Sequence, residues 1–183
     1  DSAFILKLYE HFKDIKKAFQ STSDELSQIE GLSIKKAENF LKFRDKTNPD
    51  KIADFIAGKN IKYLTFEDEN YPQMLKNIDN PPAVLYYKGD LKNVNLQRTL
   101  AVVGSRRAST NAKDDVHKII GELSGTDITI VSGLASGIDT CAHIAALDSN
   151  LKTIGVIASG FDFTYPASNK QLYSRIENGN GVI

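Results

Sequence analysis

Between residues 4 and 20 the apolar positions Phe4, Ile5, Leu8, Phe12, Ile15 and Phe19 recur at helical spacing with lysines between them, which predicts one amphipathic helix. From Leu26 to Arg44 two short helical patterns follow, divided by Gly31, which can end one helix, and Ser33, which can cap the next. Another helix is predicted after Pro49, ending near Gly58. The period changes at residue 61. Short runs rich in β-branched and aromatic residues, at 61–66, 84–87, 99–103, 128–131 and 153–157, predict strands. Helix-length stretches at about 110–124, 137–148 and 168–178 follow the last three runs. Strand, loop and helix, repeated three times, imply right-handed βαβ units. The fold class expected is α/β, a Rossmann-like doubly wound and mainly parallel sheet with helices on both faces, preceded by a small all-α domain. The boundary is placed near residue 60, giving a helical domain at 1–60 and a sheet domain at 61–183.

Each βαβ unit has glycine or serine where its strand gives way to its helix. The three loops contain Gly104, Ser105, Arg106, Arg107 and Ser109, then Ser132, Gly133, Ser136, Gly137 and Asp139, then Ser159 and Gly160. Parallel strands deliver all three to one carboxyl edge, where free backbone N–H groups and helix N-termini present positive partial charge. Glycine permits close approach of a phosphate, serine adds hydroxyl donors, and paired arginines can grip phosphate oxygens bidentately. The combination predicts an anion site. Asp139, in the first turn of its helix, is expected to interact with the helix dipole or cap loop amides.

Charge narrows the class of anion. Twenty-three Lys and Arg balance twenty-three Asp and Glu, so no global cationic field exists and any polyanion site must be local. Residues 1–60 are nearly balanced, which favours a structural helical hairpin over a DNA-binding one there, although the segment resembles a helix-hairpin-helix with Ser33 in place of the second glycine. No run approaches the roughly 18–20 apolar residues of a membrane helix, and Asp1-Ser2-Ala3 does not begin a signal peptide. The single Cys141 excludes an intramolecular disulfide, and a cytoplasmic location is expected. The chain lacks an initial methionine and stops at Gly181-Val182-Ile183, so it reads as a fragment of a longer protein.

Common enzyme signatures do not fit these loops. Gly133 and Gly137 are followed by Ile138 and Asp139, so the lysine of a Walker A loop is missing, and no G-x-G-x-x-G follows any strand. Gly133-Leu134-Ala135-Ser136-Gly137 lacks the central serine of a nucleophile elbow. Cys141 and His143 are two apart on a helix and point about 200° from each other, so they form no dyad. His11 and His117 are distant in sequence. No metal and no cofactor are expected.

Five ordered motifs make the chain similar to the DNA-processing protein A family, DprA, also called Smf. They are Tyr71-Pro72-x2-Leu75; Pro81-Pro82-x-Val84-Leu85-Tyr86-x-Lys88-Gly89; Val102-Val103-Gly104-Ser105-Arg106; Ser132-Gly133-Leu134-Ala135-x-Gly137-Ile138-Asp139-x2-Ala142-His143-x2-Ala146-Leu147; and Tyr165-Pro166-x2-Asn169-x2-Leu172. The resemblance covers residues 61–183 closely and the helical N-terminus loosely, where family members often carry a SAM-like or helix-hairpin-helix-like domain. It implies a non-enzymatic cytoplasmic protein that binds incoming single-stranded DNA during natural transformation, protects it and helps load the RecA recombinase. It also implies that Arg106, Arg107 and, beside Asn169, Lys170 line the DNA path. The family places self-association and recombinase contacts largely beyond the Gly-Val-Ile stretch, so a homodimer is expected of the full-length protein. The competing class is a nucleoside-monophosphate phosphoribohydrolase of a related superfamily, whose P-G-G-x-G-T loop is not found in this sequence.

Overall fold

The helix expected over residues 4–20 is two helices in the computed structural model, which describes residues 2–183. α1 spans Ser2–Phe12 and α2 spans Ile15–Gln20. Lys13 takes a left-handed φ of 53° between them, and the Asp14 carboxylate accepts from the N–H groups of Lys16 at 2.7 Å and Lys17 at 3.3 Å. The apolar spacing runs through this point unbroken; the short acidic side chain, competing for backbone donors, makes the break.

α3 (Ser23–Ser27) opens with a capping box between Thr22 and Glu25. Gly31 turns the chain at φ +70°, and Ser33 caps α4 (Ile34–Lys46), as the sequence predicts. Asn48 caps α5 (Pro49–Gly58), which begins on the proline. β1 (Lys62–Thr65), α6 (Gln73–Lys76) and β2 (Val84–Tyr87) follow, with β1 and β2 paired in a two-stranded sheet of their own. Leu8, Ala18, Leu26, Ile29 and Ala37 form the core of the helices, with Phe4, Phe12 and Phe40 around it.

The chain divides into two compact units between Tyr86 and Tyr87, whereas the sequence pattern places the change near residue 60. The β1–β2 segment is joined to the helices: the Tyr9 and Phe66 rings meet edge to face at 5.1 Å, and the Ala83 N–H donates to Ser2 Oγ at 3.2 Å. A change of period marks where secondary structure changes, which is a different thing from where packing becomes sparse.

The second unit runs β3 (Thr99–Ala101), α7 (Thr110–Gly121), β4 (Thr129–Ser132), α8 (Ile138–Asp148), β5 (Lys152–Gly155), α9 (Lys170–Glu177) and β6 (Gly181–Val182). Its sheet has the order β3-β4-β5-β6 with every pair parallel, the Rossmann-like arrangement expected. Leu100, Ile130 and Thr153 align across it. Ile130 packs with Ala142, Ala145 and Ala146 of α8 and with Ile120 and Leu151. All four strands step one way, and α8 packs against both α7 and α9. Crossovers of one hand stepping one way put their helices on one face. The reversal of strand order that would place helices on the second face is therefore not among the described residues. At the far edge Lys88 and Ile183 exchange both main-chain hydrogen bonds, at 2.8 and 3.0 Å, which closes the unit on β6.

Candidate nucleic-acid interface

β3 ends at Ala101, and Val102 still donates its N–H to the Val131 carbonyl at 3.0 Å before the chain leaves the sheet. A Cβ on Gly104 would lie 2.7 Å from Ile138 Cγ1, so this turn presses on the start of α8. Ser105 Oγ accepts from the Arg107 N–H at 3.1 Å, and Ser109 caps α7 by accepting from the Ala112 N–H at 3.3 Å. Between these two local ties Arg106 and Arg107 are exposed to solvent.

The second loop is locked against the first. Gly137 has φ +84°, and a side chain there would overlap the Ser105 carbonyl oxygen and crowd the Arg106 carbonyl. The next residue, Ile138, donates its N–H to that Ser105 oxygen at 3.2 Å. Gly133 is exposed, and a Cβ on it would lie 2.8 Å from Asp139 Oδ2. Leu134 is buried at φ +58° and Ser136 is half-buried. The need for glycine at 137 comes from the approach of two backbones, which the loop pattern alone does not distinguish from approach of a phosphate.

Two residues predicted to serve the ligand, Ser132 and Asn169, have partners within the fold, and Asp139, expected at the helix dipole or capping loop amides, makes no cap. Ser132 is buried and its hydroxyl donates to the Val102 carbonyl at 2.6 Å, tying β4 to the end of β3. Asn169, 5% exposed, donates from Nδ2 to the Leu134 carbonyl at 2.9 Å and to Thr140 Oγ1 at 2.8 Å. Its amide is committed to the glycine loop, while its neighbour Lys170 is exposed at the start of α9. Asp139 caps nothing: α8 has Gly137 at its N-cap with no side-chain hydrogen bond, and among the described residues no loop amide donates to the Asp139 carboxylate. Gly137 leaves no capping side chain, and the Asp139 carboxylate occupies the space beside Gly133 that a side chain there would need.

Beneath these loops lies a sealed polar cluster. The Thr153 hydroxyl donates to the Ile130 carbonyl at 2.9 Å, so at 2.7 Å it accepts from Nδ1–H of His143, a residue with no exposed surface. His143 Nε2 has no hydrogen-bond partner. Burial pushes the imidazole pKa down to about 4, with the Asp139 charge pulling the other way, so the ring is neutral. The Cys141 thiol is buried, donates to the Lys113 carbonyl at 3.4 Å, and is held above its ordinary pKa by burial. Neither group reaches solvent as a base or a nucleophile. Among the described residues no three His, Cys, Asp or Glu side chains are grouped to hold a metal ion, and no helix is long and apolar enough to cross a membrane.

The third loop, which the sequence pattern marks only by Ser159 and Gly160, presents aromatic surface. Phe163 and Tyr165 are both exposed just beyond those residues. The odd-numbered alternation Phe161, Phe163, Tyr165 is a signal for it in the sequence, but it lies outside any predicted strand.

A parallel Rossmann-like sheet with glycine-cut loops and an exposed arginine pair at its carboxyl edge places the chain in the class of Rossmann-like α/β proteins. Within that class, the chain belongs to the DNA recombination-mediator protein A family, whose model matches residues 62–183. It is 35% identical over 173 residues to Protein Smf of Synechocystis, covering 93% of this chain and 44% of that protein. It is 45% identical over 116 residues to DNA processing protein DprA of Streptococcus pneumoniae, covering 63% of this chain and 40% of that one. The solved structure of S. pneumoniae DNA processing protein A superimposes with a TM-score of 0.82 at 32% identity, over 100% of this chain and 61% of that one. A structure of DNA processing protein A from Helicobacter pylori, described for its unique single-stranded DNA binding mode, gives a TM-score of 0.56 at 31% identity, over 67% of this chain and 54% of that one. The chain thus spans less than half the length of these two curated relatives.

Proposed function

We propose that this chain binds single-stranded DNA through its phosphate backbone at the carboxyl edge of the parallel sheet. Arg106, Arg107 and Lys170 supply the charge. Gly104, Ser105, Ser109, Gly133, Ser136 and Gly137 supply close approach, hydroxyls and the fixed shape of the loops. In the full-length protein the same edge would protect incoming strands during natural transformation in the cytoplasm and present them to RecA, with self-association placed in the later part of the chain. The observation that carries this reading is the pair of exposed arginines on a loop braced on both sides, by Ser105 and Ser109 within it and by Gly137 across from it. Two guanidinium forks held on a rigid turn suit successive phosphates. The single-stranded DNA binding described for the H. pylori relative supports the choice of polyanion.

Binding without chemistry follows from the same geometry. Hydrolysis of a nucleotide needs a general base, a nucleophile or a metal-activated water in reach of the ligand. His143 and Cys141 are sealed below the loops, which leaves Asp139 as the acid nearest the glycines. The test is binding of a labelled single-stranded oligonucleotide against its duplex over a salt series, with nucleoside monophosphates assayed in parallel. Preference for the single strand and a salt-dependent affinity are expected. Release of free base from a monophosphate, abolished by Asp139→Asn, would replace this reading with a phosphoribohydrolase.

A further inference from the structure

The loop between β5 and α9 carries two aromatic rings that the fold does not use. Phe163 is 71% exposed and Tyr165 is 62% exposed. Other aromatics of this region are spent on packing: Phe161 packs beside the buried Leu172 and Ile176 under the Lys88 ammonium, and Tyr173 is buried in the same cluster. The exposed pair is therefore not a failure of the segment to find a core.

The backbone that carries these rings is tied down. The Tyr173 hydroxyl donates to the Tyr165 carbonyl at 3.3 Å, and four residues past Tyr165 the Asn169 amide is fixed to Leu134 and Thr140. Rings on an anchored loop lose little freedom when a flat ligand covers them, and Phe and Tyr have only two side-chain torsions to restrict. Their position matters as well. This loop leaves the carboxyl end of β5, and the arginine loop leaves the carboxyl end of β3, two strands away in the same parallel sheet. That separation is about 10 Å across the strands, with the glycine loop of β4 between.

Resting on the function proposed above, we propose that Phe163 and Tyr165 form a base-stacking platform for the single strand whose phosphates lie on the arginine loop. Every base has a π-face, so such a platform tolerates any sequence while requiring that the bases be unpaired. It would supply the discrimination that arginines alone cannot, since a duplex offers the same phosphates with its bases already stacked.

The experiment compares a single-stranded oligonucleotide, an abasic strand of the same length and a duplex, each titrated against the wild-type chain, Phe163→Ala, Tyr165→Ala and Phe163→Leu. Each ring removed should weaken binding of the base-bearing strand by about 5- to 150-fold and leave the abasic strand and the duplex unchanged. Phe163→Leu, which stays apolar without a ring face, should fall with Phe163→Ala. The chain contains no tryptophan, so Phe163→Trp makes a sole indole at the platform. Its emission should be quenched by the base-bearing strand and not by the abasic one, with affinity retained. Ring variants that bind the base-bearing strand as tightly as wild type, or that weaken base-bearing and abasic strands equally, overturn the platform while leaving the phosphate interface standing. A wild-type chain that binds none of the three overturns the function proposed above.

Discussion

Asn169 holds Leu134 in place: its side-chain amide donates to the Leu134 carbonyl at 2.9 Å and, with the other hydrogen, to the Thr140 hydroxyl at 2.8 Å. Leu134 is buried at φ +58°, a conformation a leucine keeps only where its surroundings over-determine it. Asn169→Ala leaves a buried carbonyl without that donor and should lower stability by about 1–3 kcal/mol. Asn169→Asp, which sets acceptors against an acceptor, should cost more. Urea unfolding measures both; an alanine variant as stable as wild type would show that the loop holds its shape without the amide.

Two glycines in left-handed conformations should respond differently to alanine. Gly160, at φ +71° with no atom within 4 Å of where a methyl would sit, should lose only the backbone preference of about 1–2 kcal/mol. Gly137→Ala adds a methyl against the Ser105 carbonyl, whose backbone has no flexible end to yield, so its loss should be clearly larger. Equal melting temperatures for the two variants would contradict the close approach of the loops.

Stability should fall as the medium becomes acidic through the range in which His143 titrates in the unfolded chain. The folded pKa is about 4 against an ordinary 6.5, so between those values the unfolded state binds more protons. The contribution is therefore fully present above pH 6.5 and lost as pH drops towards 4, amounting to about 3 kcal/mol over the window. Unfolding free energies from pH 7.5 to 4 test it, and His143→Leu should flatten that part of the profile. The Thr153 hydroxyl loses a partner in that variant, so the slope and not the absolute stability is the reading to compare.

Removing the arginines should weaken DNA binding without weakening the fold. Arg106→Ala and Arg107→Ala should each cost about 1.5–3 kcal/mol of binding, and the double variant should flatten the salt dependence by roughly 0.7 for each phosphate no longer neutralised. Unchanged affinity and salt slope would take both residues out of the interface. Circular dichroism should be unaffected, because both side chains are exposed.

The first five strands, the crossover helices and the three loops are legible in the sequence because each rests on a local signal: β-branched runs, a 3.6-residue period, glycine at a turn; β6, two residues long, carries no such signal. Ser33 caps its helix as its position predicts, whereas Ser109, read as a hydroxyl for the ligand, caps α7. What is not legible depends on pairing between distant residues or on competition within one pattern. The break at Asp14 sits inside an unbroken apolar spacing, and the hydroxyl of Ser132 and the amide of Asn169 find partners 30 and 35 residues away. A polar side chain in a glycine loop looks alike in sequence whether it faces a ligand or its own fold. The aromatic rings of the third loop escape the pattern because exposure of a Phe or Tyr is a property of the finished surface.

The hydrogen bond from the Ile138 N–H to the Ser105 carbonyl has a consequence for how this edge can vary. The arginine loop and the glycine loop cannot drift independently, since a shift in either moves the peptide that the other leans on. Substitutions at 105 and 137 should then show non-additive effects, each altering the cost of the other. A lineage could retune the charge at 106 and 107 freely, because those side chains are exposed beside the joint and not part of it, but it would have to change the joint itself in matched steps. The freedom to alter affinity and the freedom to alter shape are separated between neighbouring residues of one turn.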